Sequence, residues 1–156
     1  MSQRHTHGST ARLRNEISRA PAATRELVSA ALDLMVAQRP APYPAASTQR
    51  VRALIDAQAW TDAVLAIADL DRSRAIRYVV NEDGEWHCRI GSHATVPHWL
   101  GDTAECSHAV LALSILGALI ETLAWRAASD LSAVSAPRSS AGEIDAIPAV
   151  SCDNYS

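Results

Sequence analysis

The chain has 156 residues, the length of one ordinary domain, so a second independent core is not expected. Its apolar fraction of 48% is typical of a globular protein, but Phe is absent, so Leu, Ile, Val and Trp must supply the large core side chains. A net charge of −3 excludes a generally basic nucleic-acid-binding protein, and three Cys are too few for a disulfide scaffold, which favours the cytoplasm.

The basic residues are all Arg, a bias that indicates GC-rich codon usage and predicts a bacterial source. Residues 1–20 are polar and rich in Arg, with too little apolar surface to offset the entropy lost on ordering. We therefore predict a mobile basic arm over residues 1–20. This arm can contact an anionic partner or lie on the acidic remainder of the chain, but binding to nucleic acid is not expected, because no reading helix is recognisable.

A single globular domain is predicted over residues 21–128. It opens with PAATRELVSAALDLMVAQR, in which Leu27, Ala31 and Leu34 recur at helical spacing, and the prolines of PAPYP end this helix. A second helical pattern starts near Ser47 or Thr48. A third starts with Thr61 as a candidate cap, and the two patterns form either one bent helix or two separate helices.

The apolar period then changes from helical to alternating. Ile76, Tyr78 and Val80 alternate with polar or smaller neighbours, as do Trp86, Cys88 and Ile90. The intervening Asp83-Gly84 pair is typical of a tight turn. The segment RYVVNEDGEWHCRI is therefore predicted to form a β-hairpin with Cys88 on its core face.

A long helix is predicted over residues 103–126, capped by Asp102 or Thr103. Its apolar positions form two adjacent stripes, so it must be covered on more than one side. The longest uncharged stretch, from Cys106 to Ile120, has 15 residues, whereas a bilayer span needs about 20, so we predict a core helix rather than a membrane span. Gly117 within it marks a close helix contact. Residues 129–156 are predicted to form a loosely ordered tail.

The segment WHCRIGSHATVPHWLGDTAECSH, residues 86–108, holds four of the six His and two of the three Cys. Imidazole and thiolate are zinc ligands, but the spacing matches no common zinc motif. We therefore expect no cofactor and interpret Cys88 and Cys106 as core packing and His93 and His98 as loop positions. Zinc binding is the alternative, with ligands drawn from Cys88, His93, His98, Cys106 and His108.

The overall prediction is a small α+β domain in which three or four helices pack on one β-hairpin. In the absence of phosphate-loop or catalytic motifs we expect a non-enzymatic cytoplasmic accessory or regulatory protein that acts by protein contact, as a homodimer through the 103–126 helix or the hairpin edge. A cysteine enzyme using Cys88 or Cys106 is a weaker alternative. Trp86 and Trp125 are assigned to the core. The candidate partner-binding residues are Trp99, His98, Leu116, Gly117 and Ile120.

Overall fold

The computed structural model describes residues 3–39, 42–92 and 103–134. These residues form five helices and one three-stranded antiparallel sheet, so the α+β class is confirmed, with one more helix and one more strand than the sequence predicted. In chain order the elements are α1 (Gln3–Arg19), α2 (Arg25–Ala37), α3 (Ala45–Asp56), α4 (Trp60–Leu70), β1 (Arg74–Glu82), β2 (Glu85–Ser92), β3 (Thr103–His108) and α5 (Leu111–Val134). Among the described helices, none combines the length and apolar character that a membrane span requires.

Most of the segment assigned to a mobile arm is helix α1. Its Leu13 and Ile17, one turn apart, are buried in the core, and the helix packs on α5. An ion pair between the Arg14 Nε and a Glu121 carboxylate oxygen, 2.9 Å apart, also joins the two helices. The prediction of a mobile arm was wrong because two apolar side chains at helical spacing are enough to dock a helix when a larger apolar helix provides the surface that they bury against.

The next three helices follow the predicted pattern with shifted ends. α2 begins at Arg25 rather than at Pro21, because the Thr24 hydroxyl accepts a hydrogen bond from the Leu27 N–H at 3.4 Å and caps the helix. α3 and α4 are separate helices rather than one bent helix. Gln58 lies between them with φ at 57°, a left-handed conformation that ends α3.

The predicted hairpin is confirmed. β1 and β2 pair antiparallel around Asp83 and Gly84, whose φ angles of 52° and 88° are those of the tight turn that this dipeptide favours. The predicted alternation in β1 is wrong, however, because a β-bulge between Ile76 and Tyr78 inserts one residue and shifts the register. Ile76 lies on the helix side of the sheet, whereas Tyr78 and Val80 lie on the opposite side.

The segment predicted to start the long helix is instead strand β3. Its Ala104, Cys106 and His108 pair with Ile90, Cys88 and Trp86 of β2, and the intervening residues face away from the helices. The period of two was present in TAECSH, but its short side chains and the apolar run that follows concealed it. The helix begins at Leu111, and it extends to Val134, beyond the predicted end and into the segment predicted to be a tail.

Helix α5 is the centre of the core. All nine residues from 112 to 120 are buried, and the sheet strands β2 and β3 cover one side while α1, α2 and α4 cover the others. Its buried hydroxyls are satisfied within the helix, since Ser114 and Thr122 donate to the carbonyl three residues earlier at 3.1 and 2.7 Å. The two apolar stripes are therefore covered by the chain itself.

Gly117 brings α5 close to the sheet. A Cβ added at this position would overlap the Cys106 Sγ and lie 3.2 Å from the Cys106 Cβ and 3.7 Å from the Ile17 Cγ2. The close helix contact predicted from this glycine is therefore with β3 and α1 of the same chain. A larger residue here requires either the Cys106 side chain or α5 itself to shift.

We predict that Gly117→Ala lowers the free energy of unfolding by about 1 to 3 kcal/mol, the usual effect of overpacking a core, despite the better helix propensity of Ala. Replacing the sulfur as well, in Gly117→Ala/Cys106→Ala, should recover part of this loss, because the two side chains compete for one space. Urea unfolding of the four proteins of this cycle measures both effects.

Gly8 in α1 is the matched control, because nothing lies within 4 Å of a Cβ added there. Gly8→Ala should leave stability unchanged or raise it by up to about 1 kcal/mol. If Gly117→Ala behaves like Gly8→Ala, the close packing of α5 on β3 is wrong.

Candidate functional site

Three of the five sequence-based candidates for partner binding lie in the core. Leu116 and Ile120 have no exposed area and Gly117 faces Cys106, so this part of the prediction is corrected: these three residues belong to the chain's own core. The reason is that α1 and β3, both missed from the sequence, cover the two sides of α5 that a partner was expected to cover. His98 and Trp99 lie outside the described residues.

The candidate metal ligands are only partly brought together. Cys88 and Cys106 are directly opposite each other on β2 and β3, on the helix side of the sheet. His108 is further along the same face, and its Nδ1 accepts a hydrogen bond from the Val110 N–H at 2.9 Å, which organises the start of α5. Within the described ranges no cluster of three or more His, Cys, Asp or Glu could hold a metal ion. His93 and His98 lie outside those ranges.

The two thiols lack the features of an activated cysteine. Burial, with the neighbouring Cys106 as a smaller contribution, raises the pKa of the Cys88 thiol to about 12. Burial also raises the pKa of Cys106. A catalytic cysteine needs the opposite shift, towards the thiolate at neutral pH, so the arrangement suits packing and not nucleophilic attack.

The outer face of the sheet carries a row of three polar side chains, one from each strand. The Tyr78 hydroxyl donates to one Glu105 carboxylate oxygen at 2.9 Å, and the Arg89 guanidinium donates twice to the other oxygen at 3.0 and 2.5 Å. Arg89 also lies over the Tyr78 ring, 5.1 Å from its centre. The β1 bulge makes this possible, because it places Tyr78 directly opposite Arg89.

These contacts shift the pKa values of the row in a consistent way. The hydrogen bonds from Arg89 are the main cause that lowers the pKa of Glu105, and the same bonds raise the pKa of Arg89. Desolvation first, and then the bond to Glu105, raise the pKa of Tyr78. The row therefore holds the three strands in register most firmly while Glu105 is ionised.

The free edge of β1 carries a run of exposed apolar side chains. Six large apolar side chains in the described residues are exposed by 36% or more, and three of them are consecutive: Tyr78 at 37%, Val79 at 36% and Val80 at 37%. Burial falls along β1 from half-buried at residues 74–76 to exposed from residue 77 onwards. The helices therefore leave the second half of β1 uncovered on both of its faces.

β1 is also an edge strand. The strand order is β1-β2-β3, so on its outer side β1 pairs with no strand among residues that the structure describes. The sequence predicted the hairpin but not this open half, because the position of the bulge and the limited reach of the helices cannot be read from a single pattern. The only sequence signal is the uninterrupted Tyr-Val-Val run.

The remaining exposed apolar side chains are isolated from one another. Val36 and Leu65 lie on α2 and α4, each 38% exposed, and Trp125 on α5 is 40% exposed. Trp125 was assigned to the core from sequence, and that assignment is corrected. Trp86, also assigned to the core, is half-buried on β2. Single exposed apolar residues are common on protein surfaces, so they do not mark a site as the β1 edge does.

Comparisons with protein-family models, with curated proteins and with solved structures found no match for this chain.

We predict that Glu105→Gln destabilises the protein at pH 7 and that this difference disappears in acid. A carboxyl group whose pKa is lowered by folding contributes stability that is present above its unfolded pKa and lost as the pH falls through its folded pKa. The two proteins should therefore differ at neutral pH and converge below about pH 4. Thermal unfolding followed by circular dichroism over pH 3 to 8 measures this.

Glu85→Gln is the control, since Glu85 is exposed at the start of β2, away from the row. It should unfold like the parent protein across the same pH range. A Glu105→Gln difference that does not change with pH would contradict the role assigned to the charge.

Proposed function

We propose that the protein is a small, non-enzymatic accessory or regulatory protein that works by protein contact and associates with a second copy of itself through the open edge of β1. The observation that supports this proposal is the run of exposed apolar residues Tyr78, Val79 and Val80 on an edge strand that the helices leave uncovered. The hairpin edge was one of the two dimer surfaces expected from sequence. The other, the long helix, is buried within the chain from residue 112 to residue 120.

The backbone of β1 supplies the first attraction. An edge strand presents a row of N–H and C=O groups that another strand can pair with, and proteins often use such edges to bind a partner strand. Soluble proteins usually protect an exposed apolar edge with a charge or a proline. From Tyr78 to Val80 the edge of β1 has neither.

The side chains of β1 supply the second attraction. Val79 is opposite Cys88 and so lies on the helix side, whereas Val80, opposite His87, lies on the outer side with Tyr78. A strand added at this edge covers apolar area on both faces of the sheet at once. One strand pair buries less than the 1,200–2,000 Å² or so of a typical stable interface, so a micromolar dissociation constant, about 1 to 100 µM, is expected.

Charge favours a second copy in antiparallel orientation. β1 carries the exposed Arg77 in its first half, and Glu82 and Asp83 end the strand and begin the turn. When two identical strands pair antiparallel, the first half of each lies beside the end of the other, so opposite charges meet. This arrangement has the two-fold symmetry of most homodimers and would join two three-stranded sheets into one of six strands.

We predict that Val79→Lys/Val80→Lys weakens self-association at least tenfold. The two Lys residues of one strand would lie beside those of the other strand and repel them, and the apolar contact would be lost. Both side chains are more than a third exposed, so the monomer should still fold. Sedimentation equilibrium over about 1 to 200 µM gives the dissociation constants. Circular dichroism checks the fold.

Val36→Lys/Leu65→Lys is the matched control, because the Val36 and Leu65 side chains are each 38% exposed but lie on helices α2 and α4 rather than on the edge strand. It should dimerise like the parent protein. A parent protein that stays monomeric at about 200 µM, or a control that dissociates as readily as the β1 variant, would contradict the proposal.

The zinc alternative predicts a different result that the same sample can show. We expect elemental analysis of the untagged protein after gel filtration to find no stoichiometric zinc, because Cys88 and Cys106 are assigned to packing and the His108 Nδ1 accepts a backbone hydrogen bond. About one zinc per chain, with unfolding on chelation, would overturn this assignment.

A further inference from the structure

A cavity of about 580 Å³ lies between α3, the end of α4 and the start of β1, away from the exposed Tyr-Val-Val run. Its volume is in the range of small-molecule sites and far exceeds the space of a single bound ion. The polar and charged residues that line it are Ser47, Arg50, Asp69, Asp71, Arg72 and Arg74. Three guanidinium groups and two carboxylates therefore face one space.

One wall of the cavity is held in place by an internal network. Asp71 is 4% exposed, and its Oδ1 accepts hydrogen bonds from the Ser73 N–H at 3.2 Å and the Ser73 hydroxyl at 2.5 Å. Its other oxygen lies 3.9 Å from the Arg74 Nε, and the Arg74 side chain is only 12% exposed. The backbone N–H of Arg74 also donates a hydrogen bond to the backbone carbonyl of Asp71 at 3.0 Å. The Arg74 guanidinium is therefore positioned before any ligand arrives.

The mouth of the cavity carries the remaining charges. Arg50 on α3 and Arg72 just after α4 are both exposed, as is Asp69. Because Asp71 is engaged by Ser73 and Arg74, Asp69 is the lining carboxylate that remains to balance Arg50 and Arg72. Positive charge is in excess there. Guanidinium groups from two separate elements can each donate two hydrogen bonds to a phosphate group.

We propose that this cavity binds a phosphorylated sugar or polyol. Arg50 and Arg72 hold the phosphate, while the Asp71–Arg74 pair, whose charges offset each other, forms part of the cavity wall. The hydroxyl groups of the ligand donate hydrogen bonds to the Asp69 carboxylate, and they both donate to and accept from the Ser47 hydroxyl. This gives the Asp69 carboxylate a role in a cavity that is otherwise basic. The volume left beside the phosphate accommodates the carbon body. This proposal is independent of self-association through β1.

Isothermal titration calorimetry with glucose 6-phosphate at low salt tests the site, with glucose as the uncharged probe and inorganic phosphate as the probe without a carbon body. We expect saturable binding of glucose 6-phosphate, no binding of glucose, and weaker binding of inorganic phosphate. Arg50→Gln and Arg72→Gln should each weaken glucose 6-phosphate binding at least tenfold. Because both residues are exposed, these variants should fold.

Arg52→Gln is the matched control, because Arg52 is an exposed Arg on the same helix that does not line the cavity. It should change the affinity less than twofold. Three results would each overturn the proposal: no binding of glucose 6-phosphate up to about 10 mM, equal weakening by Arg52→Gln, which indicates general attraction to a basic surface, or equal affinity for glucose 6-phosphate and inorganic phosphate.

Discussion

The contact between Gly117 and Cys106 determines how the rest of the molecule is arranged. Because position 117 has no side chain, the Cys106 sulfur occupies the space beside the helix, and α5 lies directly on β3 and β2. A helix this apolar must be covered on its other sides too, and α1, α2 and α4 do so. The core is therefore centred on the β3 side of the sheet and not on its middle.

This off-centre packing explains why the helices leave the second half of β1 uncovered. α5 covers β2 and β3, and α4 contacts β1, where burial is confined to residues 74–76. The bulge after Ile76 then turns Tyr78 to the outer face, where it joins Arg89 and Glu105, and turns Val79 to the helix side. Two local features, a small residue in α5 and one extra residue in β1, together leave an apolar edge that no described strand covers.

The sequence predicted the parts of the fold that depend on short-range patterns. The Asp83-Gly84 turn, the hairpin and the buried stretch of α5 each have a strong local signal, and each is present. Helix α1 and strand β3 were missed because their few apolar residues are informative only once α5 provides a surface to bury against. Because α1 and β3 were missed, Leu116 and Ile120 were predicted to bind a partner, whereas they are buried within the chain.

The candidate sites were less predictable than the fold. The β1 edge depends on a bulge, and the cavity depends on how three successive elements pack, with lining residues from Ser47 to Arg74. The densest chemical signal in the sequence, the His and Cys cluster, proved to be a cross-strand Cys pair and a helix-start His in its described part. Composition alone could not distinguish these outcomes, because they depend on which face of the sheet each residue occupies.

Amide hydrogen exchange at two protein concentrations tests most directly whether the β1 edge is an interface. We expect alternate amides of residues 77–82 to exchange quickly in a dilute sample, where the edge is free, and slowly in a concentrated one, where a second strand pairs with it. The amides of β2, which is paired on both sides within one chain, should exchange equally in both samples. Equal exchange of the β1 amides at the two concentrations, in a sample that spans the dissociation constant, would contradict the account.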